Sequence, residues 1–132
     1  MDVVNPATGK VVDNVAETDV QQLPALLKAA KVAQRSWAAL APSARKAVLA
    51  RFRQLVSEQK EELAQTLTRE VGKPLGQARN ELNGLLPRID FFLEHFEAEL
   101  QPRTVLGTGT EALEERIVFE PLGVVANVSA WN

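Results

Sequence analysis

Pro121-Leu122-Gly123-Val124-Val125-Ala126-Asn127-Val128 is the stretch on which the fold turns. Pro-Leu-Gly is a break that ends whatever precedes it. Val124 to Val128 is then mostly apolar, as expected of a strand buried on both faces of a parallel sheet. A single strand of this type, last in the sequence, leaves backbone donors and acceptors without partners on at least one side. The layout therefore predicts an α/β fold that this chain holds only in part, stopping mid-domain.

Outward from that stretch, Arg116 to Glu120 alternates in polarity and reads as a strand. Pro102, Gly107, Thr108, Gly109 and Thr110 read as a polar loop before it, so residues 100–120 form a hairpin-like arm. Upstream lies a long helical pattern. Pro74 opens it from the first helical position. Leu75, Ala78, Leu82, Leu85, Leu86, Ile89, Phe92, Leu93 and Phe96 recur along it, with Pro87 expected to bend it. Gly72 stops the preceding helix, which carries Leu63, Leu67 and Val71. Another helix starts near Ser43, with Val48, Leu49, Phe52, Leu55 and Val56 as its apolar stripe. Its charged series, Arg45, Lys46, Arg51, Arg53 and Glu58, reads as a solvated face.

The first helix is expected to start near Leu23 with Pro24 in its first turn, lined by Leu23, Leu26, Leu27, Ala30, Ala33 and Trp37. Thr18 and Gln21 have the spacing of a capping box just before it. Residues 3–15 mix β-branched residues with the turn dipeptides Asn5-Pro6 and Thr8-Gly9, which predicts a small hairpin. The predicted order is thus a small β-hairpin, about four helices, a β arm and one buried strand.

Composition excludes several classes of function. The chain has 132 residues, 45% of them hydrophobic, and a formal net charge of -2. It lacks the basic stripe of a nucleic-acid binder. Its apolar runs are too short to span a bilayer. No secretory signal is visible at the start, so a soluble cytoplasmic protein is expected. With no cysteine, a disulfide framework, a thiolate metal site and a cysteine nucleophile are all excluded from these residues. His95 has no second histidine to form a metal pair, and is expected to be a helix-surface or half-buried side chain. No metal site is assigned.

Three local motifs, in order, resemble the NAD(P)-dependent aldehyde dehydrogenase superfamily. Asn5-Pro6-Ala7-Thr8-Gly9-Lys10 is similar to the family's N-terminal turn. Glu70-Val71-Gly72-Lys73-Pro74 resembles its glutamate-x-glycine-lysine-proline helix junction. Glu120-Pro121-Leu122-Gly123-Val124-Val125, running into Val128-Ser129-Ala130-Trp131-Asn132, resembles the strand and loop that open its cofactor domain. Each motif alone is weak, and their order and spacing are specific. The resemblance covers residues 5–132, and on it residues 1–132 are a partial N-terminal domain containing the first strand of a Rossmann-like cofactor domain.

The resemblance implies an oxidoreductase that converts an aldehyde to a carboxylic acid with NAD or NADP. In the family a cysteine thiolate attacks the carbonyl, hydride passes to the nicotinamide, and a glutamate assists hydrolysis of the thioester. Asn132 matches the asparagine whose amide stabilises the oxygen of the tetrahedral intermediate. Val128, Ser129 and Trp131 match positions that line the cofactor cleft, at the carboxyl end of the first strand. Ala130 departs from the usual proline and relaxes the backbone before Asn132. The cysteine, the glutamate base and the cofactor-loop glycines lie downstream in the family, and a lone oxyanion donor carries no acyl chemistry. This segment alone is therefore expected to be inactive and not to hold the cofactor. The resemblance also implies a homo-oligomer, with residues around 100–120 in subunit contacts. The other reading is a non-catalytic helical module that binds a partner or a full-length paralogue.

Overall fold

Asn5 folds the start of the chain back on itself. Its side-chain Oδ1 accepts from the N–H of Ala7 at 2.9 Å and of Thr8 at 3.3 Å, and its carbonyl accepts from Gly9 N–H at 2.8 Å. Gly9 closes the turn at a φ of 69°, a left-handed conformation that glycine adopts without a Cβ clash. The turn joins β1 (Asp2–Val4) to β2 (Val11–Asn14), antiparallel, with Asp2 opposite Asn14 and Val3 opposite Asp13. The predicted small hairpin is present. The computed structural model describes residues 1–107 and 113–129.

Helix boundaries follow the punctuation in the sequence. A 3-10 turn, Val20–Gln22, leads into α1 (Leu23–Ala38), which carries Pro24 in its first turn. The cap is Asp19, not the Thr18–Gln21 box. The Asp19 carboxylate accepts from Gln21 N–H at 2.9 Å, because the turn begins at Val20 and its free N–H groups point back to Asp19. Next come α2 (Pro42–Glu58), α3 (Lys60–Val71) and α4 (Leu75–Glu99). Pro74 stands at the cap of α4, in extended backbone, rather than at its first helical position, and α4 continues through Pro87.

The core forms where α4 packs against both α2 and α3. Ala64 of α3 and Ala78 of α4 are fully buried and Val56 of α2 is buried. Small side chains at these points let the helix backbones approach closely. Leu67, Leu82, Leu86, Ile89, Leu93 and Phe96 are half-buried around them. Charged groups tie the same helices together. Arg53 Nε and Nη2 donate to both oxygens of Asp90 at 2.8 Å, and Arg79 grips Glu61 at 2.9 and 2.6 Å. Lys46 lies 3.4 Å from Glu97. Part of the face of α2 expected to be solvated therefore reaches across to α4. The Arg45 guanidinium sits 5.7 Å from the centre of the Phe96 ring, a cation–π distance.

β3 (Arg103–Leu106) pairs antiparallel with β4 (Glu115–Ile117), with Arg103 opposite Ile117 and Thr104 opposite Arg116. The hairpin-like arm expected over residues 100–120 is present as this pair, its second strand ending at Ile117 rather than Glu120. Its first strand, Arg103–Leu106, takes its bounds from its ladder partner as much as from its own composition. The greatest difference lies after it. Residues 118–129 form neither helix nor strand. The run expected to be a buried strand has no ladder partner among the described residues, and a ladder needs two sides.

The accessible surface is 10603 Å², against about 6,900 Å² for a compact monomer of this mass. Large apolar side chains contribute to it. Leu23, Leu26 and Leu27 on α1, Phe91 and Phe92 on α4, and Leu122, Val125 and Val128 all stand exposed. No helix among the described residues is long and apolar enough to cross a membrane.

Candidate functional site

Val128 and Ser129, both expected at a cofactor cleft, lie at the end of the segment that leaves β4. Val128 is 96% exposed. Ser129 Oγ donates to Asn127 Oδ1 at 2.8 Å, a local contact that a polar loop makes readily. Trp131 and Asn132, the other two expected site residues, lie outside the described residues, as does Ala130. Only Val128 and Ser129 are therefore placed, as chain neighbours on an open surface.

The residues just before them line a shallow, open hollow. Val124, Val125 and Ala126 face Leu23, Pro24, Leu26, Leu27 and Ala30 of α1 across an apolar concavity of about 580 Å³. These α1 residues are the stripe that helical periodicity identifies. Their meeting with residues 124–126 spans most of the chain, and no local pattern announces it.

A dinucleotide would need a walled cleft and donors aimed at its phosphates. Val128, almost wholly in solvent, provides no wall, and the Ser129 hydroxyl is already engaged with Asn127. Among the described residues there is also no group of three or more His, Asp or Glu side chains close enough to hold a metal ion. His95 is exposed and stacks on Phe91 with ring centres 4.3 Å apart, its Nδ1 2.8 Å from the Phe91 carbonyl. This is a surface role, as its isolation in the sequence suggests.

The other two motifs are structural, and they meet. Gly72 ends α3 at a φ of 73°, and Pro6 of the N-terminal turn lies against it. Lys73, the next residue, pairs with Glu81 of α4. Residues 103–106 and 115–117 form a two-stranded ribbon with exposed strands, and the Arg103 guanidinium lies 5.6 Å from the centre of the Phe119 ring.

Three packed helices, an antiparallel pair at either end of the chain and an apolar run laid along α1 define a mixed α/β protein. All 132 residues match the model of the aldehyde dehydrogenase family, and the chain belongs to that family. It is 31% identical over 129 residues to the succinate-semialdehyde dehydrogenase (NADP+) of Deinococcus radiodurans, covering 98% of this chain and 26% of that protein. It is 32% identical over 132 residues to the glutarate-semialdehyde dehydrogenase of Pseudomonas putida, covering 98% of this chain and 27% of that protein. Among solved structures it is similar to aldehyde dehydrogenase 21 from Physcomitrella patens in complex with the reaction product succinate. The TM-score is 0.74 at 28% identity, over 85% of this chain and 23% of that one. The chain spans about a quarter of the length of the curated relatives it matches.

Proposed function

We propose that residues 1–132 form the N-terminal, cofactor-domain part of an NAD(P)-dependent enzyme that oxidises an aldehyde to a carboxylic acid. One observation carries this reading: the family match runs through all 132 residues, across the three motifs in their family order. Within it Asn132 is the oxyanion donor. Its neutral side-chain amide donates to the oxygen that becomes negative as the aldehyde carbon turns tetrahedral, and adds no competing acid. Val128, Ser129 and Trp131 border the cofactor. The exposure of Val128 supports a cofactor surface completed by other parts of the enzyme rather than held by this segment alone.

The nucleophile is not among these residues, since the chain has no cysteine. The segment by itself is therefore inactive. Residues around 100–120 serve as a subunit-contact arm in a homo-oligomer, a role supported by their exposed ribbon of strands. A cytoplasmic location is part of the same proposal.

The test is Asn132→Ala in an intact enzyme that carries this segment. Loss of one oxyanion donor lowers kcat by about 10²–10³ with a smaller change in KM. A variant with unchanged kcat would remove Asn132 from the chemistry.

A further inference from the structure

The turn motif and the helix-junction motif, far apart in the sequence, form a single tertiary contact. Gly72 N–H donates to the Thr68 carbonyl at 3.0 Å and closes α3. A Cβ at Gly72 would lie 2.7 Å from Pro6 Cγ and 3.7 Å from Pro6 Cβ. The proline ring occupies the space where any other residue at position 72 would carry its side chain. Gly72 is thus required twice, for its left-handed backbone and for its bare face.

The rest of the hairpin is held loosely. β1 and β2 pack chiefly on each other. β2 is exposed along its whole length, and only Val3 of β1 is half-buried. Among the described residues, the hydrogen bonds of residues 1–15 close within that stretch. Beyond it the terminal amine meets only the exposed Glu17, at 3.7 Å. The turn itself is tied by five hydrogen bonds at Asn5. The hairpin thus closes its own hydrogen bonds and meets the helices closely at Pro6.

We propose that residues 1–15 are a latch, seated on the α3–α4 junction by Pro6 against Gly72, and that this latch opens while α2, α3 and α4 stay folded. Segments with few buried contacts open sub-globally at lower cost than the core.

Amide hydrogen exchange on the 132-residue chain tests this with three variants. Pro6→Ala removes the ring and leaves the α3 cap intact. It speeds exchange at the hairpin amides, Asn5, Gly9 and Val15 among them, several-fold, and leaves α2 and α4 amides within about twofold. Gly72→Ala adds backbone strain and the clash, so the same amides speed up on the order of tenfold, together with the last turn of α3. In the double variant the clash is gone, and the combined effect falls short of the product of the two. The latch is overturned if α2 and α4 amides accelerate as much as the hairpin, or if neither single variant changes the hairpin. Free-chain exchange of the hairpin in the unaltered chain, or effects that multiply independently, overturns it as well.

Discussion

Helices α2 to α4 and residues 118–129 are both rich in apolar side chains, yet one set is packed and the other is not. Val56, Ala64 and Ala78 close the helical core, and Arg53–Asp90 and Arg79–Glu61 clip it from outside. Val125 and Val128 stand 71% and 96% exposed. The difference lies in the distance to a partner. A helix satisfies its own backbone, and these three find one another through short connections. An apolar extended run must find a neighbouring strand, and none of the described residues offers one. An apolar pattern therefore shows which surface calls for burial, and leaves open whether its partner is near.

This contrast can be broken most strongly in the core. Ala78→Leu forces extra volume between α3 and α4 and costs about 1–3 kcal/mol, read as a lower urea midpoint. An unchanged midpoint would show that the two helices do not close tightly at Ala78. A smaller effect comes from acid. The Arg79 guanidinium, bonded to Glu61, holds that carboxyl down at about 2 instead of 4.5, and Arg53 lowers Asp90 in the same direction. Groups with lowered native pKa values bind more protons when unfolded, so their contribution is full above the ordinary carboxylate range. It is lost as pH falls from about 4.5 towards about 2. The urea midpoint should drop across that window, and Glu61→Gln should flatten part of the drop. A midpoint equally steep in the variant would assign the pH dependence elsewhere.

Smaller still is Lys46→Ala, which removes the partly exposed pair with Glu97 at a cost of about 0.2–1 kcal/mol. The smallest effect belongs to the loose region. Val125→Asp should shift stability by no more than about 0.5 kcal/mol, since the side chain is mostly in water. A loss as large as that of Ala78→Leu would mean that residues 124–126 are locked onto α1, and the contrast would fail.

The sequence makes these two regions legible to different degrees. Pro24, Gly72 and Pro74 mark helix ends because proline and glycine act locally, through the backbone they permit. The arm is legible as a hairpin, but the bounds of β3 are not, because Arg103 to Leu106 becomes a strand only by pairing with residues 115–117. Arg53 and Lys46 read as solvated because their partners sit on α4, far along the chain. The Pro6–Gly72 contact is equally silent, although both residues stand out singly. Of the candidate site, Val128 and Ser129 are recognisable from their motif, but a walled cleft depends on surfaces that pattern alone cannot assemble. Trp131 and Asn132 are likewise known by motif, outside the described residues.

The proposed function assigns this segment an oxyanion donor, Asn132, while its sequence holds no cysteine to act as nucleophile. The direct measurement is absorbance of reduced nicotinamide when the purified 132-residue chain is mixed with NAD or NADP and short aldehydes. The account predicts no aldehyde-dependent rise above the protein-free background. A reproducible rise that scales with chain concentration, from a preparation free of other dehydrogenases, would contradict it.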